Sequence, residues 1–381
     1  MIKPRSLISN ILFLIVFNQL IANEFDFDKT VVKTKHLSFE VSHFSDGYEI
    51  PWGMAFLPDH RMLVTDISGS LWLLSKNGEK ISKIKNIPQV VFKGQGGLLD
   101  VEIHPDFSNN SYVYISFSEK LKKNKYHTTI IRGKLNKYTL KNIETVFRAR
   151  DNNFSRTLHH YGSRIVFDNN KFLYFTIGDR GFKNEAQDLT LPNGKIHRVL
   201  DNGKIPIDNP FIYYKNACKS IWTYGNRNPQ GLAKHPKTGN IWQSEHGPRG
   251  GDEINIIKKG VNYGWPVITY GINYDGSKIT DLKEKDGMEQ PINQWTPSIA
   301  VCGIKFYNGD KFKEWKNNLL VTSLKYERLH RLVISKNQIL DEEIIFESGS
   351  RVRDVEVGPD GLIYLALENP GRIVKLIPLD D

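Results

Sequence analysis

One phrase recurs along this chain and constrains its fold more than any other feature. It consists of an alternating strand, a turn built from Pro, Asp, Asn or Gly, and a second strand rich in β-branched and aromatic residues, as in PWGMAFLPDHRMLVTDISGSLWLL. The copies begin at Pro51, Gly97, Gly162, Pro229, Val301 and Arg351. Each has the period-two pattern and the turn residues of a β-hairpin. Regular repeats of a few strands are typical of β-propellers.

The repeat therefore predicts an all-β fold, a six-bladed β-propeller. A seven-bladed ring, with a further blade in residues 23–50 or 265–300, is the alternative. Long insertions follow the third and fourth copies. Because binding and catalytic residues concentrate on loops held by a rigid scaffold, we expect these inter-strand loops to form a site at one end of the central channel.

The N-terminus has the pattern of a targeting segment. Lys3 and Arg5 precede a mostly apolar run from Leu7 to Ala22 that is too short and too interrupted to span a bilayer well. This pattern predicts a secretory signal peptide over residues 1–22, with an uncleaved anchor as the alternative. Residues 23–381 are then expected to form a single propeller domain that is periplasmic or secreted.

The charge balance is basic, with 52 Lys and Arg against 42 Asp and Glu in 381 residues. The lysines are scattered, with no basic helix or RNA-binding motif, so we expect no nucleic-acid partner and no stable membrane insertion. A basic balance can favour an anionic ligand. Cys218 and Cys302 could form a disulfide in an exported protein or remain free thiols, and their spacing does not decide between the two.

Charged and amide residues cluster in the long loops. Arg227, Lys325, Arg351 and Arg353 come from three different blades. Each could be a latch between blades, paired with Asp or Glu. As a set at the channel axis they would repel one another, which indicates a bound anion there. Arginine forks suit carboxylates, so a small multi-carboxylate ligand is favoured.

The segment SEHGPRGGDEIN, residues 244–255, combines three glycines and a proline with four charged residues. Gly247 and Pro248 can present main-chain carbonyls, and Asp252 and Glu253 follow closely. Carbonyl and carboxylate oxygens suit Ca²⁺. The alternative is a glycine-rich corner whose carboxylates cap neighbouring backbone groups.

Five motifs in order carry a resemblance to a known family. They are GSRIVFD…LYFTIGDRG, YGNRNPQGLAKHP, SEHGPRGGDEIN, NYGWP and RVRDVEVGPDGLIY. From about Pro51 to Lys375 the chain resembles the soluble aldose sugar dehydrogenases that use pyrroloquinoline quinone (PQQ), the glucose/sorbosone dehydrogenase family. It is most similar to the periplasmic bacterial members. The resemblance implies oxidation of aldoses at C1 to lactones, with hydride transfer to calcium-bound PQQ.

The resemblance also implies roles for single residues. His160 matches the general base, Asp179 the carboxylate that orients it, and Arg227 the arginine beside the quinone oxygen. The positions that match cofactor-binding residues are Gln95, Arg227, Asn228, Tyr274, Lys325, Arg351 and Arg353. The positions that match calcium ligands are Gly247 and Pro248 for a catalytic ion, and Glu253 and Tyr263 for a structural ion.

Some positions depart from the glucose-preferring branch of the family. His159 stands where that branch has an aspartate that helps to bind the sugar, and the loop after Asp179 differs. A broad aldose range is therefore expected rather than a preference for glucose. Trp265, like Trp222 and Trp242, is interpreted as blade packing.

The chain has no CxxCH haem motif, so the implied partners are an aldose and an external electron acceptor. The sequence allows a monomer or a homodimer. Two other functions are compatible with a propeller that binds calcium: a calcium-dependent lactonase and a non-catalytic ligand-binding propeller. A neutral lactone would not require the four convergent cations, and the joint presence of His160, Asp179 and Arg227 argues against a non-catalytic role.

Overall fold

A computed structural model describes residues 30–379 of the protein; the predicted signal peptide lies outside this range. Nearly all regular structure in it is β-strand. Two N-terminal strands are β1 (Thr30–Lys33) and β2 (Ser38–Tyr48). The first blade contains β3 (Pro51–Phe56), β4 (Met62–Asp66), β5 (Ser70–Leu74) and β6 (Lys80–Lys83). The second contains β7 (Leu98–Ile103), β8 (Tyr112–Leu121), β9 (Lys125–Asn136) and β10 (Thr139–Arg148).

The next three blades are again four-stranded antiparallel sheets. The third contains β11 (Ile165–Phe167), β12 (Leu173–Ile177), β13 (Lys195–Val199) and β14 (Ile221–Tyr224). The fourth contains β15 (Pro229–Lys234), β16 (Ile241–Glu245), β17 (Asp252–Ile256) and β18 (Asn293–Trp295). The fifth contains β19 (Val301–Phe306), β20 (Leu319–Ser323), β21 (Arg328–Ser335) and β22 (Gln338–Glu347).

The sixth blade joins the two ends of the described chain. It contains β23 (Val352–Val357), β24 (Ile363–Leu367) and β25 (Gly371–Pro378), and β2 and then β1 complete it on the outside. Val41 of β2 pairs with Leu376 of β25 in antiparallel register. The N-terminal strands therefore belong to the sixth blade, and β18, from the other region considered for a seventh blade, belongs to the fourth. Six blades, as the repeat predicts, account for the described residues.

Helical structure is short in the described part of the chain. The one α-helix, α1 (Phe107–Asn110), follows β7, and four single 3₁₀ turns cover Lys122–Asn124, Asp151–Asn153, Lys183–Gln187 and Lys313–Trp315.

The second strands of five blades (β4, β12, β16, β20 and β24) are buried along their whole length. Each is covered on both faces because neighbouring blades stack on it, which explains their runs of β-branched and aromatic residues. One apolar cluster fills each of the six interfaces between blades. The six innermost strands contact one another in chain order around a closed ring, so the loops at each end of the channel face a common axis.

A buried ion-pair network crosses this axis. The Arg164 guanidinium lies 3.0 Å from Asp100 of the second blade and 3.0 Å from Asp354 of the sixth. It also donates to the main-chain oxygens of Gln230 (2.8 Å) and Arg353 (3.1 Å). The network links four blades and forms a floor beneath the loops at one end of the channel.

Both cysteines are free thiols.

Candidate active site

Two cavities open side by side above this floor, where loops of several blades meet. The inner cavity, of about 340 Å³, is lined among others by Trp52, Asn228, Arg351, Arg353 and Glu368. The outer cavity, of about 380 Å³, is lined among others by His159, Asp179, Lys183, Trp265 and Asn273. The residues common to both walls are Gln95, His160, Arg227 and Tyr274. Reacting groups held in the two cavities would therefore meet at these four residues.

His160 and Asp179 form a hydrogen-bonded pair at this junction. Their Nδ1 and Oδ1 atoms lie 2.6 Å apart. Asp179 also accepts hydrogen bonds from the Gly181 amide (2.7 Å) and from the Trp265 indole N–H (2.9 Å). Because Asp179 accepts the Nδ1 proton, the lone pair of His160 lies on Nε2. The pair is a base held in one orientation by a carboxylate.

The pKa values of the two groups suit that arrangement. Burial, together with the charge of Arg227, lowers the pKa of His160 to about 4, although the bond to Asp179 opposes the shift. Burial alone would raise the pKa of Asp179, but its bond to His160 and the nearby charges hold it below the usual value. At neutral pH the site therefore holds a neutral imidazole next to an ionised carboxylate.

The main chain of His160 is held in a left-handed conformation, with φ of 56°. Its amide donates to Oε1 of Gln95 (2.8 Å). Gly178 passes so close that a Cβ there would lie 2.3 Å from the His160 carbonyl oxygen. The first glycine of TIGDRG, Gly178, is thus required by the close approach of this loop to the base.

Arg227 is anchored at both its main chain and its side chain. Nη1 donates to the carbonyl oxygens of His246 and Gly247, both at 3.0 Å. Its amide donates to Glu245, and its carbonyl accepts from the Asp179 amide at 2.7 Å. The guanidinium is therefore fixed next to the His160–Asp179 pair.

The inner cavity has an excess of positive charge. Glu368 is shared by two arginines: Arg351 Nε lies 2.8 Å from Oε2, and Arg353 Nε lies 2.7 Å from Oε1. These contacts are ion pairs of the kind that the sequence analysis considered as latches. One carboxylate, however, is paired with two guanidinium groups. Arg227 lines the same cavity, where Glu368 is the only carboxylate among the lining residues. Three guanidinium groups facing one carboxylate favour an anionic ligand.

The remaining predicted cofactor residues divide into two groups. Gln95, Asn228 and Tyr274 lie in the cavity walls, and Asn228 Oδ1 accepts the Gly162 amide at 3.1 Å. Lys325 is not among the residues that line the inner cavity, where the neighbouring Leu324 lies instead. Its ammonium lies 4.9 Å from the centre of the Tyr326 ring.

The glycine-rich segment bends between β16 and β17. Asp252 holds this bend: its carboxylate accepts from the Gly247 amide (2.8 Å), the Ser298 hydroxyl (2.9 Å) and the Val301 amide (3.1 Å). Gly247 lacks space for a side chain, since a Cβ would lie 2.1 Å from the Gly250 carbonyl oxygen. The bend thus presents main chain at the junction of the two cavities, where Pro248 lines the outer one.

A third, much smaller cavity of about 10 Å³ lies behind the bend. Glu253 and Tyr263, both predicted metal ligands, line it together with Glu245. The Tyr263 hydroxyl is occupied elsewhere: it donates to the Ile256 carbonyl (2.6 Å) and accepts from the Lys258 amide (3.0 Å). Tyr263 can therefore offer a cation its main-chain carbonyl. Within residues 30–379, no three His, Cys, Asp or Glu side chains are grouped to hold a metal, so main-chain oxygens must complete any such site.

Sequence reasoning missed three residues of the site. Trp265, interpreted as packing, lines the outer cavity and donates to Asp179. His246 lines the inner cavity, and burial with the charges of Arg227 and Arg353 holds its pKa well below the usual value. Glu245 binds the Arg227 amide. The one available signal was position, since Glu245 and His246 lie within SEHGPRGGDEIN itself.

No helix among residues 30–379 is long and apolar enough to cross a membrane.

The chain is similar to known proteins over most of its length. Residues 48–375 match the family model described as glucose/sorbosone dehydrogenase. The chain is 41% identical over 347 residues to the aldose sugar dehydrogenase YliI of Escherichia coli K12, covering 89% of this chain and 92% of that protein. The apo crystal structure of the soluble E. coli aldose sugar dehydrogenase superimposes with a TM-score of 0.86 at 38% identity, covering 90% and 100% of the two chains. The PQQ-bound aldose sugar dehydrogenase of Streptomyces coelicolor gives 0.73 at 27% identity, covering 90% and 98%. The chain belongs to the glucose/sorbosone dehydrogenase family.

Proposed function

We propose that this protein is a PQQ-dependent aldose sugar dehydrogenase that oxidises the C1 hydroxyl of aldoses to the lactone. The observation that carries the proposal is the His160–Asp179 pair at the junction of a polar outer cavity and a cationic inner cavity. A sugar in the outer cavity and an anionic redox cofactor in the inner one would both reach His160.

The inner cavity fits PQQ on its charge. PQQ carries three carboxylates, and Arg227, Arg351 and Arg353 outnumber the single carboxylate of Glu368 among the lining residues. Gln95, Asn228 and Tyr274 would contact it from the wall. When bound, PQQ supplies an ortho-quinone that accepts a hydride from C1 of the sugar.

The bend between β16 and β17 fits a hard cation. The carbonyls of Gly247 and Pro248 would bind the catalytic Ca²⁺. Gly247 O already accepts one hydrogen bond from Arg227, and a carbonyl oxygen has a second lone pair to offer. Glu253, with the main-chain oxygen of Tyr263, would hold the structural Ca²⁺ next to the small cavity. Carboxylate and carbonyl oxygens are the ligands that Ca²⁺ prefers.

The residues of this chain then have separate tasks. His160 takes the proton of the anomeric hydroxyl on Nε2 while the C1–H bond breaks, so that the sugar loses one proton and one hydride. Asp179 keeps the imidazole in the required tautomer and stabilises its charged form. Arg227, fixed by two carbonyl contacts, faces the place where negative charge develops.

The outer cavity favours a broad aldose range over a preference for glucose. His159 packs edge-to-face on His160, with ring centres 4.7 Å apart. Lys183 and Asn273 also line this cavity, and Lys183 Nζ donates to Asn273 Oδ1 at 3.1 Å. His159, Lys183 and Asn273 can each form hydrogen bonds with sugar hydroxyls, and none of them is a carboxylate. Several hydroxyl arrangements can therefore be accommodated.

The proposal includes an external electron acceptor and export by a signal peptide over residues 1–22 to the periplasm or the medium. The absence of a CxxCH haem motif from the sequence supports an acceptor outside the chain.

Reconstitution tests the proposal. Purified mature protein is supplied with PQQ and Ca²⁺, and sugar-dependent reduction of an artificial dye is followed while each component is omitted in turn. We expect activity that requires both cofactors. No spectral change on adding PQQ and no dye reduction with any aldose would contradict the proposal and favour a non-catalytic ligand-binding propeller, whereas calcium-dependent lactone hydrolysis without PQQ would favour a lactonase.

A further inference from the structure

Two glutamates lie directly opposite each other at the start of the glycine-rich bend. Glu245 of β16 and Glu253 of β17 are paired in the antiparallel register, so their side chains emerge on the same face of the blade. Like charges directly opposite in a sheet are destabilising. A positive charge or a shared proton is needed between them.

The small cavity at this place has the size and the lining of a single-ion site. Its volume of about 10 Å³ is close to the minimum that holds one water-sized particle. Glu245, Glu253, Gly251 and Thr269 line it. Next to Glu253, the fully buried Asn255 donates Nδ2 to the Glu253 carboxylate at 3.0 Å, while its Oδ1 has no hydrogen-bond partner in the described part of the chain. Two carboxylates and a buried amide oxygen without a partner are the kind of oxygen ligands that Ca²⁺ prefers.

Glu245 also connects this cavity to the reaction centre. One carboxylate oxygen accepts the Arg227 amide, and the other accepts Asn226 Nδ2 (2.8 Å) and Gln243 Nε2 (2.6 Å). The Arg227 carbonyl in turn accepts the Asp179 amide at 2.7 Å, and Asp179 binds His160. A continuous set of hydrogen bonds therefore runs from the small cavity to the base.

We propose that Glu245 is a third ligand of the structural cation and, through Arg227, a positioning residue for the catalytic pair. Occupancy of the small cavity then determines where the main chain of Arg227 and Asp179 lies, so the cation is coupled to the reaction centre and not only to stability. The inference rests on the proposed function, because that function makes His160 and Asp179 the reaction centre. Its binding test, however, needs neither PQQ nor sugar.

The experiment is a calcium titration of the full-length mature protein without PQQ, with two readouts. Calorimetry gives the affinity, and NMR of ¹³C-labelled histidine follows the His160 ring, whose signal is assigned by its loss in His160→Ala. In the wild-type protein we expect Ca²⁺ to bind and to shift the His160 signal. Glu253→Gln removes a ligand but keeps every hydrogen bond of Glu245, so the affinity should fall about tenfold or more, because ligand charge sets the affinity of such sites.

Glu245→Gln is the decisive variant. It should also weaken calcium binding about tenfold, and calcium that does bind should no longer shift the His160 signal, since the bonded link to Arg227 is altered. Glu343→Gln is the matched control: Glu343 is a buried carboxylate on β22 of the fifth blade, paired with Arg331, and it does not line the small cavity. It should change neither the affinity nor the His160 response. If Glu245→Gln folds poorly, Glu245→Asp, which keeps the charge but shortens the side chain, is measured with the same two readouts, and wild-type affinity with a wild-type His160 response would contradict the inference.

Three results would overturn the inference: no calcium binding to the wild-type protein without PQQ, wild-type affinity in Glu245→Gln, or calcium binding that raises Tm while leaving the His160 signal unchanged. A protein that passes this test but oxidises no aldose after reconstitution would contradict the proposed function alone, so the two failures are distinguishable.

Discussion

His160 combines an unfavourable backbone with a fully specified side chain. A residue other than glycine in the left-handed region costs about 1–2 kcal/mol, and such conformations persist where the surroundings over-determine them. Here Gln95 holds the His160 amide, Gly178 makes room for its carbonyl, and Asp179 fixes its ring. The strain places Nε2 at the junction of the two cavities, which is where the proposed reaction needs a base.

Replacement of the base should separate binding from chemistry. His160→Ala removes the proton acceptor but leaves Arg227, Arg351 and Arg353 in the inner cavity. We expect PQQ and Ca²⁺ to bind with little change, and kcat to fall by roughly two to four orders of magnitude, the usual contribution of a general base. Absorbance titration with PQQ and steady-state dye reduction measure the two effects. Undiminished turnover would show that another group accepts the proton.

The pH dependence should report the lowered pKa of His160. The imidazole is a base only when neutral, so activity is present above its pKa and is lost as the pH falls through it. With the pKa lowered to about 4, we expect kcat/KM to remain high well below pH 6.5 and to decrease near pH 4, on protein that stays folded. An acid limb near the ordinary histidine value of about 6.5 would contradict the burial of this group in the working enzyme.

The bend between β16 and β17 depends on one carboxylate that holds it from inside. Asp252 accepts hydrogen bonds from Gly247, Ser298 and Val301, so it ties the fourth blade to the first strand of the fifth. The sequence suggested Asp252 as a neighbour of a calcium site. In the structure Asp252 does not line the small cavity, and it acts on a cation at Gly247 only indirectly, by holding the bend.

Asp252→Ala should therefore destabilise the fold and weaken calcium binding together. Leaving a buried donor without an acceptor costs roughly 1–3 kcal/mol, and three donors are affected, so we expect a loss of at least about 2 kcal/mol in the free energy of unfolding, measured by urea denaturation. Asp275→Ala is a control, because Asp275 is an exposed carboxylate that accepts from Ser277 within one turn; its urea midpoint should barely change. A normal midpoint in Asp252→Ala would show that the bend holds without it.

The blades were predictable because their signal is local. Period-two alternation with turn residues repeats six times, and each copy contains the first two strands of one blade. Assignment of the end strands was not predictable in the same way: β2 pairs with β25 across almost the whole chain, and β1 pairs with β2, and no local pattern records such a partner.

The candidate site was predictable in part: motifs with glycines drew attention to His160, Asp179 and Arg227, which the structure brings together in one cavity wall. It was not predictable where a side chain reaches in from a distant loop. In the sequence Trp265 resembles a packing residue, because only the tertiary structure brings its loop next to Asp179. The contact of the Lys325 ammonium with its neighbour Tyr326 depends on a rotamer, which the sequence does not record.

Because the ring of blades is closed, residues from several blades meet at its axis. Arg164 lies between Asp100 and Asp354 and binds main-chain oxygens of two further segments. Burial raises the pKa of both carboxyl groups, that of Asp354 to about 7, while the Arg164 charge opposes the shift. Near the channel axis, one buried cation thus holds two buried anions together.

Arg164→Met tests this account of the axis. Breaking a buried ion pair by removing one partner typically costs about 3–5 kcal/mol, and we expect a loss of that size in urea unfolding at pH 8. The loss should shrink as the pH is lowered, because without the Arg164 charge the folded pKa of Asp100 and of Asp354 rises further. The variant then gains more stability than the wild type as these carboxyl groups take up protons. Arg328→Met, which removes a surface partner of Glu347, should cost about 0–1 kcal/mol with no such recovery. A loss at Arg164 that does not depend on pH would mean that packing of the side chain on Trp52, 4.3 Å from its ring centre, matters more than its charge.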